Sequence, residues 1–370
     1  MAIRIELFTT DAQAAEAAAF NERMRAHQQT EYVLYEQPPF MEPDDAPIRN
    51  RFYVVRDEDA VRGSLLLASF PGSFGTGEAA DVINCREPIS EAIVDSRFAL
   101  IALRLLKFME KQGPYLFALG MGGEDRPFPR LLKSAGWTLR PVPFLFRVAR
   151  AGAFLRELRM LRISPARRIL SRVAAVTGAG KVGVTALQFR SVTAALSTGG
   201  LTVAPVTEWE GWVDELWQQC RHDISFGVSR DLRTVRELYP LDERVSGYCV
   251  RRNGQPVGWM AAQTTPMRDH KYFGNLRVST LLDGIALPLE MRSVVSLVSR
   301  SLVREGADLL VTNQSHASWL EAFRSSGYLS GPSNYILALS KGLAAGITAQ
   351  PNGLDRMQFT RGDSDGRGHL

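Results

Sequence analysis

Cysteine is scarce in this sequence, and membrane-spanning runs are absent from it. The three cysteines, Cys85, Cys220 and Cys249, are far apart and odd in number. They predict free thiols, with neither a disulfide framework nor the spacing of a metal site. No apolar run approaches the roughly 18–20 residues that cross a bilayer, and the first residues lack the layout of a signal peptide. We therefore expect a cytoplasmic protein without a metal centre.

A strong excess of one charge is also missing. The chain of 370 residues carries a net charge of +5, with 45% hydrophobic and 22% charged residues. This balance is typical of an ordinary globular protein and excludes a fibrous or largely disordered one. The length is about twice that of a usual domain, so we expect two domains.

The dominant feature of the chain is a unit that occurs twice. Its first copy runs from Glu91 through an apolar-periodic segment and a strand-like run to Ser134-Ala-Gly136-Trp137. The second copy begins at Asp283 and ends in Ser326-Gly327-Tyr328, and the last ten residues of the two copies align without a gap. Both copies predict a strand, a helix, a strand and a helix in that order.

A hairpin that precedes each unit repeats as well. Residues 53–63 alternate like two strands around a turn, and residues 248–258 match them in length, with Tyr, Arg, Val and Gly at corresponding positions. The hairpins and the units share an offset of 191 to 195 residues. Agreement at three places in the same order predicts an internal duplication.

These patterns predict the domain organisation. We expect a first domain over residues 1–150, closed by an edge strand at 141–148 because proline is tolerated there. A helical linker follows over 151–195, and a second domain over 196–345. The final residues, 346–370, are polar, rich in glycine and without periodicity, and they predict a disordered tail.

Arginine is concentrated between the two domains. Residues 147–172 contain eight arginines and a single acid, Glu157. One interpretation is a connecting helix whose arginine stems cover both domains. The other is a positive face for an anionic membrane surface or an acidic substrate, which would place the protein at the inner face of the membrane.

The element order resembles the GNAT acyltransferase fold. The resemblance rests on an N-terminal helix, a hairpin, a strand with an acid and Ile, a helix, a strand, and a last helix that ends in Ser-x-Gly-aromatic. Phe128–Trp137 and Trp319–Tyr328 resemble the last helix, and Gly63 and Gly258 stand where the second hairpin strand of the family begins. Two such modules are similar to the Fem-type and N-myristoyltransferase-like branches. The resemblance implies an α/β (α+β) fold class: two tandem GNAT-like domains, each a mixed, mostly antiparallel sheet flanked by helices.

The resemblance also implies an acyl-CoA co-substrate such as acetyl-CoA. The family binds the pyrophosphate on backbone N–H groups at the start of its central helix, where glycine permits close approach. The matching positions in the first half are Arg97, Ala99 and Ala102, with Leu100 where glycine is usual. In the second half, Glu290 would repel a phosphate. Further candidate cofactor contacts are Gly120, Gly122 and Gly123 after one strand, and Asn313 after the corresponding strand of the other half.

Candidate catalytic groups are two carboxylates. The family often protonates the leaving thiolate with a Tyr of the last helix, but Leu132 and Phe323 stand at those positions here. Glu91 and Asp283 occupy matching places in the repeat and could collect the proton of the acceptor amine, given a raised pKa. A structural or helix-capping carboxylate is the alternative for both.

Candidate substrate contacts are Arg126, Arg230 and His316. Arg126 follows the glycine-rich loop, and Arg230 precedes a short helix at a place where tandem members tend to carry Arg-Asp. A structural ion pair is the alternative for Arg230, and a position beside a helix cap is the alternative for His316.

The resemblance implies an N-acyltransferase that moves an acyl group from acyl-CoA to an amine. The acceptor would be a small molecule or glycan, such as an amino sugar or an amino acid of cell-envelope or polysaccharide metabolism. One alternative is a Fem-type transferase that takes an aminoacyl group from tRNA. The other is a catalytically degenerate double module that acts in binding.

Overall fold

The computed structural model describes residues 3–39, 41–157 and 199–364. The chain forms two compact units whose composition differs from the predicted domain boundaries. The first unit comprises Met1–Gly72, Ala79–Arg140 and Ile336–Ala349, and the second comprises Ser73–Glu78, Pro141–Tyr335 and Gln350–Leu370. Each half of the chain therefore contributes a segment to the unit built mainly by the other half.

The first unit is a sheet with helices packed against it. Its strands follow the order β1-β2-β3-β4-β5-β15-β6. Their bounds are β1 Ile3–Leu7, β2 Arg49–Asp57, β3 Ala60–Phe74, β4 Ala79–Ser90, β5 Leu116–Leu119, β6 Thr138–Pro141 and β15 Ile336–Leu339. The helices are α1 Asp11–Ala26, α2 Ala99–Glu110, α3 Pro127–Ser134 and α9 Lys341–Thr348.

The second unit repeats this plan. Its strands follow the order β14-β7-β13-β12-β11-β10-β8. Their bounds are β7 Phe144–Val148, β8 Leu201–Val206, β10 Val245–Arg252, β11 Gln255–Pro266, β12 Arg277–Ala286, β13 Leu309–Asn313 and β14 Leu329–Gly331. A further strand, β9 Phe226–Val228, pairs with β3, whose final residues also belong to this unit. The helices are α4 Ala151–Glu157, α5 Trp212–Cys220, α6 Leu232–Leu238, α7 Met291–Arg304, α8 Ala317–Ser325 and α10 Gly353–Arg356.

The two sheets share one topology with one exchange of strands. In the second sheet β12 and β13 are parallel and all other neighbours are antiparallel. In the first sheet β4 and β5 form the corresponding parallel pair. Next to β5 lies β15 from the end of the chain, and next to β13 lies β7 from the first half. The segment predicted as an edge strand of the first domain is therefore an internal strand of the second sheet.

Apolar periodicity explains the central helices. In the first unit, Ile101, Leu105, Leu106 and Met109 of α2 are buried in a core that includes Trp137. In the second, α7 buries Val294, Val298 and Leu302 against the repeat-closing Tyr328 and its neighbours. The duplicated residues thus form the cores that the repeat predicts.

The prediction of a disordered tail is wrong for residues 346–364. They include the end of α9, the short helix α10 and a 3₁₀ turn at Arg361–Asp363. Met357, Phe359 and Thr360 are buried. This segment has no periodicity of its own and gains its order from contacts with distant residues, so its order was not predictable from its sequence.

Most of the arginine-rich linker falls outside the described residues, since 158–198 are not among them. Within the described part, Arg150 pairs with Asp308 at 3.3 Å, and Glu157 accepts a hydrogen bond from the side chain of Asn275. The predicted face of 147–172 for an anionic membrane surface or an acidic substrate therefore remains a prediction.

Neither a membrane-spanning helix nor a metal-binding cluster is found among the described residues. In this part of the chain, no helix is long and apolar enough to cross a membrane. Within the same ranges, no cluster of three or more His, Cys, Asp or Glu side chains could hold a metal ion. The three cysteines are buried free thiols, and burial raises the pKa of Cys220 to about 12.

Candidate functional site

Each unit has an opening between its two parallel strands. In the second unit, β12 and β13 pair only at residues 278–280 and 309–311, and β12 continues to Ala286. In the first, β4 and β5 pair at 83–84 and 116–117, and β4 continues to Ser90. Among the described residues, the parallel ladder ends at these pairs although β12 and β4 both continue. Strand backbone at such a divergence can bind an extended ligand.

The register of the two openings corrects one prediction. A Cβ on Gly63 would overlap the Ile89 carbonyl oxygen, and a Cβ on Gly258 would lie 2.8 Å from Cβ of Ala286 and 3.1 Å from the Ile285 oxygen. Ile89 therefore corresponds to Ile285, at an offset of 196 residues. The ends of the parallel ladders, at residues 84 and 280, give the same offset.

Glu91 and Asp283 thus do not occupy equivalent positions. The register position of Asp283 falls on residue 87 of β4, four residues before Glu91. The connection from strand to helix spans residues 91–98 in the first unit and 287–290 in the second. This difference of four residues is not visible when the two copies of the repeat are aligned on their central helices, whose periodicity is the stronger sequence signal.

Glu91 is held by two arginines. Its carboxylate accepts hydrogen bonds from Arg23 Nε and Nη2 at 2.9 and 3.1 Å, and from Arg62 Nη1 at 3.0 Å. The Arg62 guanidinium also lies over the Phe98 ring. Burial by itself would raise the pKa of Glu91, but the hydrogen bonds from Arg23 and Arg62 outweigh it and hold the pKa below its usual value. This is the environment of a structural ion pair, and it disfavours proton uptake.

Asp283 lies in a fully buried polar network. Its Oδ2 accepts hydrogen bonds from Arg230 Nε and from the Tyr239 hydroxyl, the latter at 2.7 Å. Its Oδ1 accepts from the Gly284 amide at 2.8 Å and from Gln358 Nε2 at 3.4 Å. Both oxygens are therefore engaged by groups of the chain itself.

Arg230 joins two carboxylates. Besides Asp283, it donates to Asp363 Oδ1 at 2.7 Å through Nη2 and to the Val228 carbonyl at 2.7 Å through Nη1. The structure thus places Arg230 in the structural ion pair that was its alternative interpretation. Asp363 was not among the predicted site residues because it lies in the tail that lacks periodicity.

Asn313 and His316, the other candidate residues of the second unit, are also buried, and Asn313 contacts the same C-terminal tail. Asn313 accepts a hydrogen bond from Arg361 Nε at 2.8 Å and donates to the Val142 carbonyl at 3.3 Å. His316 is the N-cap of α8, where its Nδ1 accepts from the Ser318 amide. Burial lowers the pKa of His316 below its usual value and so favours the neutral ring.

The candidates of the first unit lie at the edge where β4 and β5 end. Gly120, Gly122 and Gly123 all adopt positive φ angles, between 81° and 113°. The Gly120 amide donates to the Ile336 carbonyl at 3.0 Å. Arg126 is exposed and lies 3.8 Å from the Glu31 carboxylate. Parallel strands end at one edge, so this loop and the residues that follow β4 share a side of the sheet.

The start of α2 is an exposed helix terminus. Its N-cap, Phe98, makes no side-chain capping hydrogen bond. Arg97 is 83% exposed and pairs with Asp95 at 2.7 Å. Leu100 is 56% exposed although it is apolar, and Ala99 and Ala102 belong to the same first turn. In the second unit Glu290 instead pairs with Arg252 at 2.7 Å.

The structure therefore joins some predicted residues and separates others. Asp283 and Arg230 form one site in the second unit, with Asn313 and His316 nearby on or after β13. Glu91 lies in the first unit with Arg97 and the glycine loop, but its contacts are Arg23 and Arg62. Neither arginine was a predicted site residue, because their partner is distant in sequence.

Comparison with solved structures identifies the fold. No protein-family model matches the sequence, and no curated protein matches it by sequence. The chain is similar to the crystal structure of a GCN5-related N-acetyltransferase from Anabaena variabilis, with a TM-score of 0.51 and 13% identity over 91% of this chain and 72% of that one. It is also similar to a probable N-acyltransferase from Enterococcus faecalis, with a TM-score of 0.52 and 7% identity over 95% of this chain and 76% of that one. N-myristoyltransferase from Saccharomyces cerevisiae gives a TM-score of 0.47 and 9% identity over 91% of this chain and 82% of that one, and no conclusion rests on it.

The first two likenesses agree with the predicted fold class, a mixed α/β architecture with two mostly antiparallel sheets flanked by helices. At such low identity they establish the fold and leave the activity open. The chain has a GNAT-like fold, with its sheet topology present twice.

Proposed function

We propose that the protein is an N-acyltransferase that binds its acyl donor in the opening of the first unit. The donor would be acetyl-CoA or another acyl-CoA. The observation that carries this proposal is the separation of β4 and β5 after residues 84 and 117 within a GNAT-like sheet. The amide groups of a pantetheine arm suit such an opening, because they can pair with strand backbone as an added strand does.

The first unit is preferred because the second opening is occupied. Gln358 Nε2 donates to the Gly284 carbonyl at 3.0 Å, and Thr360 forms a bridge with Gln314. A donor in the second unit would have to displace these contacts.

The exposed start of α2 would receive the phosphates of the donor. Helix N-termini favour anions through their N–H groups and dipole. Arg97 would exchange its contact with Asp95 for a phosphate, and Leu100 would contact the neighbouring part of the donor. Ala99 and Ala102 would leave room at this turn.

Catalysis would proceed by direct attack of the acceptor amine on the thioester carbonyl. The C–N bond forms and the C–S bond breaks, and the proton that the amine loses ends on the departing sulfur, which leaves as the CoA thiol. Such a reaction depends on positioning and needs no covalent enzyme intermediate. A role of Glu91 or Asp283 as the base stays a prediction. The carboxylate of Glu91 accepts hydrogen bonds from two arginines, and the carboxylate of Asp283 accepts four hydrogen bonds from the chain.

The acceptor would be an amine at the edge where β4 and β5 end. Gly120, Gly122 and Gly123 offer a loop with little side-chain bulk there, and exposed Arg126 suits an anionic group on the acceptor. An amino sugar or amino acid of cell-envelope or polysaccharide metabolism fits this chemistry. A Fem-type reaction with aminoacyl-tRNA and a purely binding function are the alternatives.

Ligand binding tests the proposal. Isothermal titration with acetyl-CoA, palmitoyl-CoA and bulk tRNA should show saturable binding of a CoA ester. Leu100→Glu should weaken that binding by about tenfold or more, because a carboxylate in the first helical turn repels phosphate. Leu289→Glu is the matched control, since Leu289 is 95% exposed just before the central helix of the second unit.

The outcomes separate the alternatives. Equal loss of binding in both variants, or loss in Leu289→Glu alone, contradicts a donor site in the first unit. Salt-sensitive binding of tRNA without CoA binding favours the Fem-type alternative. No response to any of the three favours a binding module without acyl transfer.

A further inference from the structure

We propose that the opening of the second unit is a peptide-binding site for an extended segment that carries a Gly-Asp pair. The chain fills this site with its own residues 357–364, here called the C-terminal segment. The second unit would thus bind peptide where the first unit has an open strand pair. This inference does not depend on acyl transfer, and the titration with CoA esters tests the donor site of the first unit separately.

The C-terminal segment is held through its backbone on both sides. The Gln358 amide donates to the Phe226 carbonyl at 2.9 Å, and Gln358 pairs with Gly227 as a parallel bridge. On the other side, the Ser315 amide donates to the Phe359 carbonyl at 3.2 Å, and Thr360 bridges Gln314. Main-chain pairing of this kind is how sheets recognise extended peptides.

Side chains of the segment connect the separated strands. Gln358 reaches Gly284 on the part of β12 that lies beyond its pairs with β13. Arg361 reaches Asn313 at the end of β13, and its guanidinium lies over the Tyr335 ring. The segment therefore spans from one strand of the opening to the other.

The carboxylate of the segment is recognised by a buried arginine. Arg230 and Asp363 are almost fully buried, and Nη2 of Arg230 donates to Asp363 Oδ1 at 2.7 Å. The other oxygen of Asp363 accepts from the Thr360 amide at 2.8 Å within the segment. Asp283 holds the Nε side of the same guanidinium. A buried arginine fixed in this way favours an acidic side chain at this position.

The glycine before this carboxylate is required by close packing. A Cβ on Gly362 would overlap the hydroxyl oxygen of Tyr239 and lie 2.7 Å from Cζ of the same ring. Tyr239 is itself fixed by its hydrogen bond to Asp283. Only a peptide with glycine at this position can place its next residue against Arg230.

Amide hydrogen exchange on the full chain tests occupancy of the site. In the wild type, amides of residues 358–364 should exchange as slowly as those of β10 in the same unit. In Gly362→Ala they should exchange about tenfold faster or more, because the displaced segment loses its partners. Gly211→Ala is the matched control in the same unit, since a Cβ there meets no atom within 4 Å.

A peptide added in trans tests recognition. A fluorescein-labelled synthetic peptide of residues 355–364 should bind Gly362→Ala saturably, as measured by fluorescence anisotropy. It should bind the wild type at least tenfold more weakly, because the cis segment occupies the site. The same peptide with Asp363→Ala should fail to bind either chain.

Three results would overturn the proposal. These are rapid exchange of residues 358–364 in the wild type, unchanged exchange in Gly362→Ala, and equal binding of the peptide to both chains. Exchange of β10 reports whether the second unit stays folded in the variant. If it does not, Arg361→Ala replaces Gly362→Ala in both experiments, because Arg361 is only partly buried and its loss removes one contact of the segment.

Discussion

A carboxylate acts as a general base when it has a lone pair directed at the substrate and a pKa near the working pH. Glu91 instead faces two guanidinium groups that lower its pKa. Asp283 accepts four hydrogen bonds from the chain. At the scale of single residues, the structure therefore supports ion pairing for both, and their catalytic role needs a direct test.

Glu91→Gln provides that test in the first unit. We expect the free energy of unfolding to fall by about 1–3 kcal/mol, because Arg23 and Arg62 lose a buried charge partner. The pKa of Glu91 is lowered, so its contribution is present at neutral pH and is lost as the pH falls through that lowered value. Urea unfolding at pH 7 and pH 4 should show the difference from wild type shrinking in acid.

Glu31→Gln is the control, since Glu31 is 72% exposed and lies 3.8 Å from Arg126. Exposed pairs contribute about 0–1 kcal/mol, so little change is expected. Loss of turnover in Glu91→Gln with unchanged stability would contradict the structural interpretation and support catalysis by this carboxylate.

At the scale of elements, the C-terminal segment carries a charge into the protein interior. Burial raises the pKa of Asp363 to about 6, although Arg230 opposes that effect. Asp283 adds repulsion, and the Thr360 amide stabilises the charged form. The carboxyl of Asp363 is therefore protonated more readily in the docked segment than in a free chain.

Docking of the segment should therefore weaken with rising pH. The docked carboxyl binds more protons than the free one between its usual value of 3.8 and about 6, so stability falls across this window and is level above it. Hydrogen exchange of residues 358–364, corrected for the intrinsic pH dependence, should report this loss. Asp363→Asn should remove the dependence, and a persistent slope in that variant would assign it to another group.

The elements themselves were largely predictable. Thr10 caps α1 and forms a capping box with Gln13, as the sequence indicates for the start of that helix. The repeat predicted both central helices and their buried faces. The connection after β4 is four residues longer than its counterpart, and only strand register revealed this.

At the scale of the whole molecule, each sheet depends on a strand from the other half of the chain. Leu337 of β15 pairs with Leu119 of β5 and is fully buried. Leu145 of β7 pairs with Thr312 of β13 and is also fully buried. A destabilising substitution in β15 or β7 should therefore loosen the sheet that is built mainly by the other half of the chain.

Leu337→Ala and Leu145→Ala form a reciprocal pair that tests this dependence. Loss of a buried leucine costs about 2–5 kcal/mol. Hydrogen exchange should rise in β5 for Leu337→Ala and in β13 for Leu145→Ala, with the opposite strand less affected. Faster exchange in β13 alone for Leu337→Ala would contradict the exchanged arrangement.

The sequence by itself determined the duplication, the α/β architecture and the buried faces of the helices. These follow from local periodicity and from residue types repeated at a near-constant offset, which need no knowledge of distant contacts. The tertiary structure alone decided the exchange of β7 and β15, the ordering of the C-terminal segment, and the union of Arg230 with Asp283 and Asp363. Each of these joins residues far apart in the chain, and pairing between distant strands or buried charges leaves no periodic signal in the segments that take part.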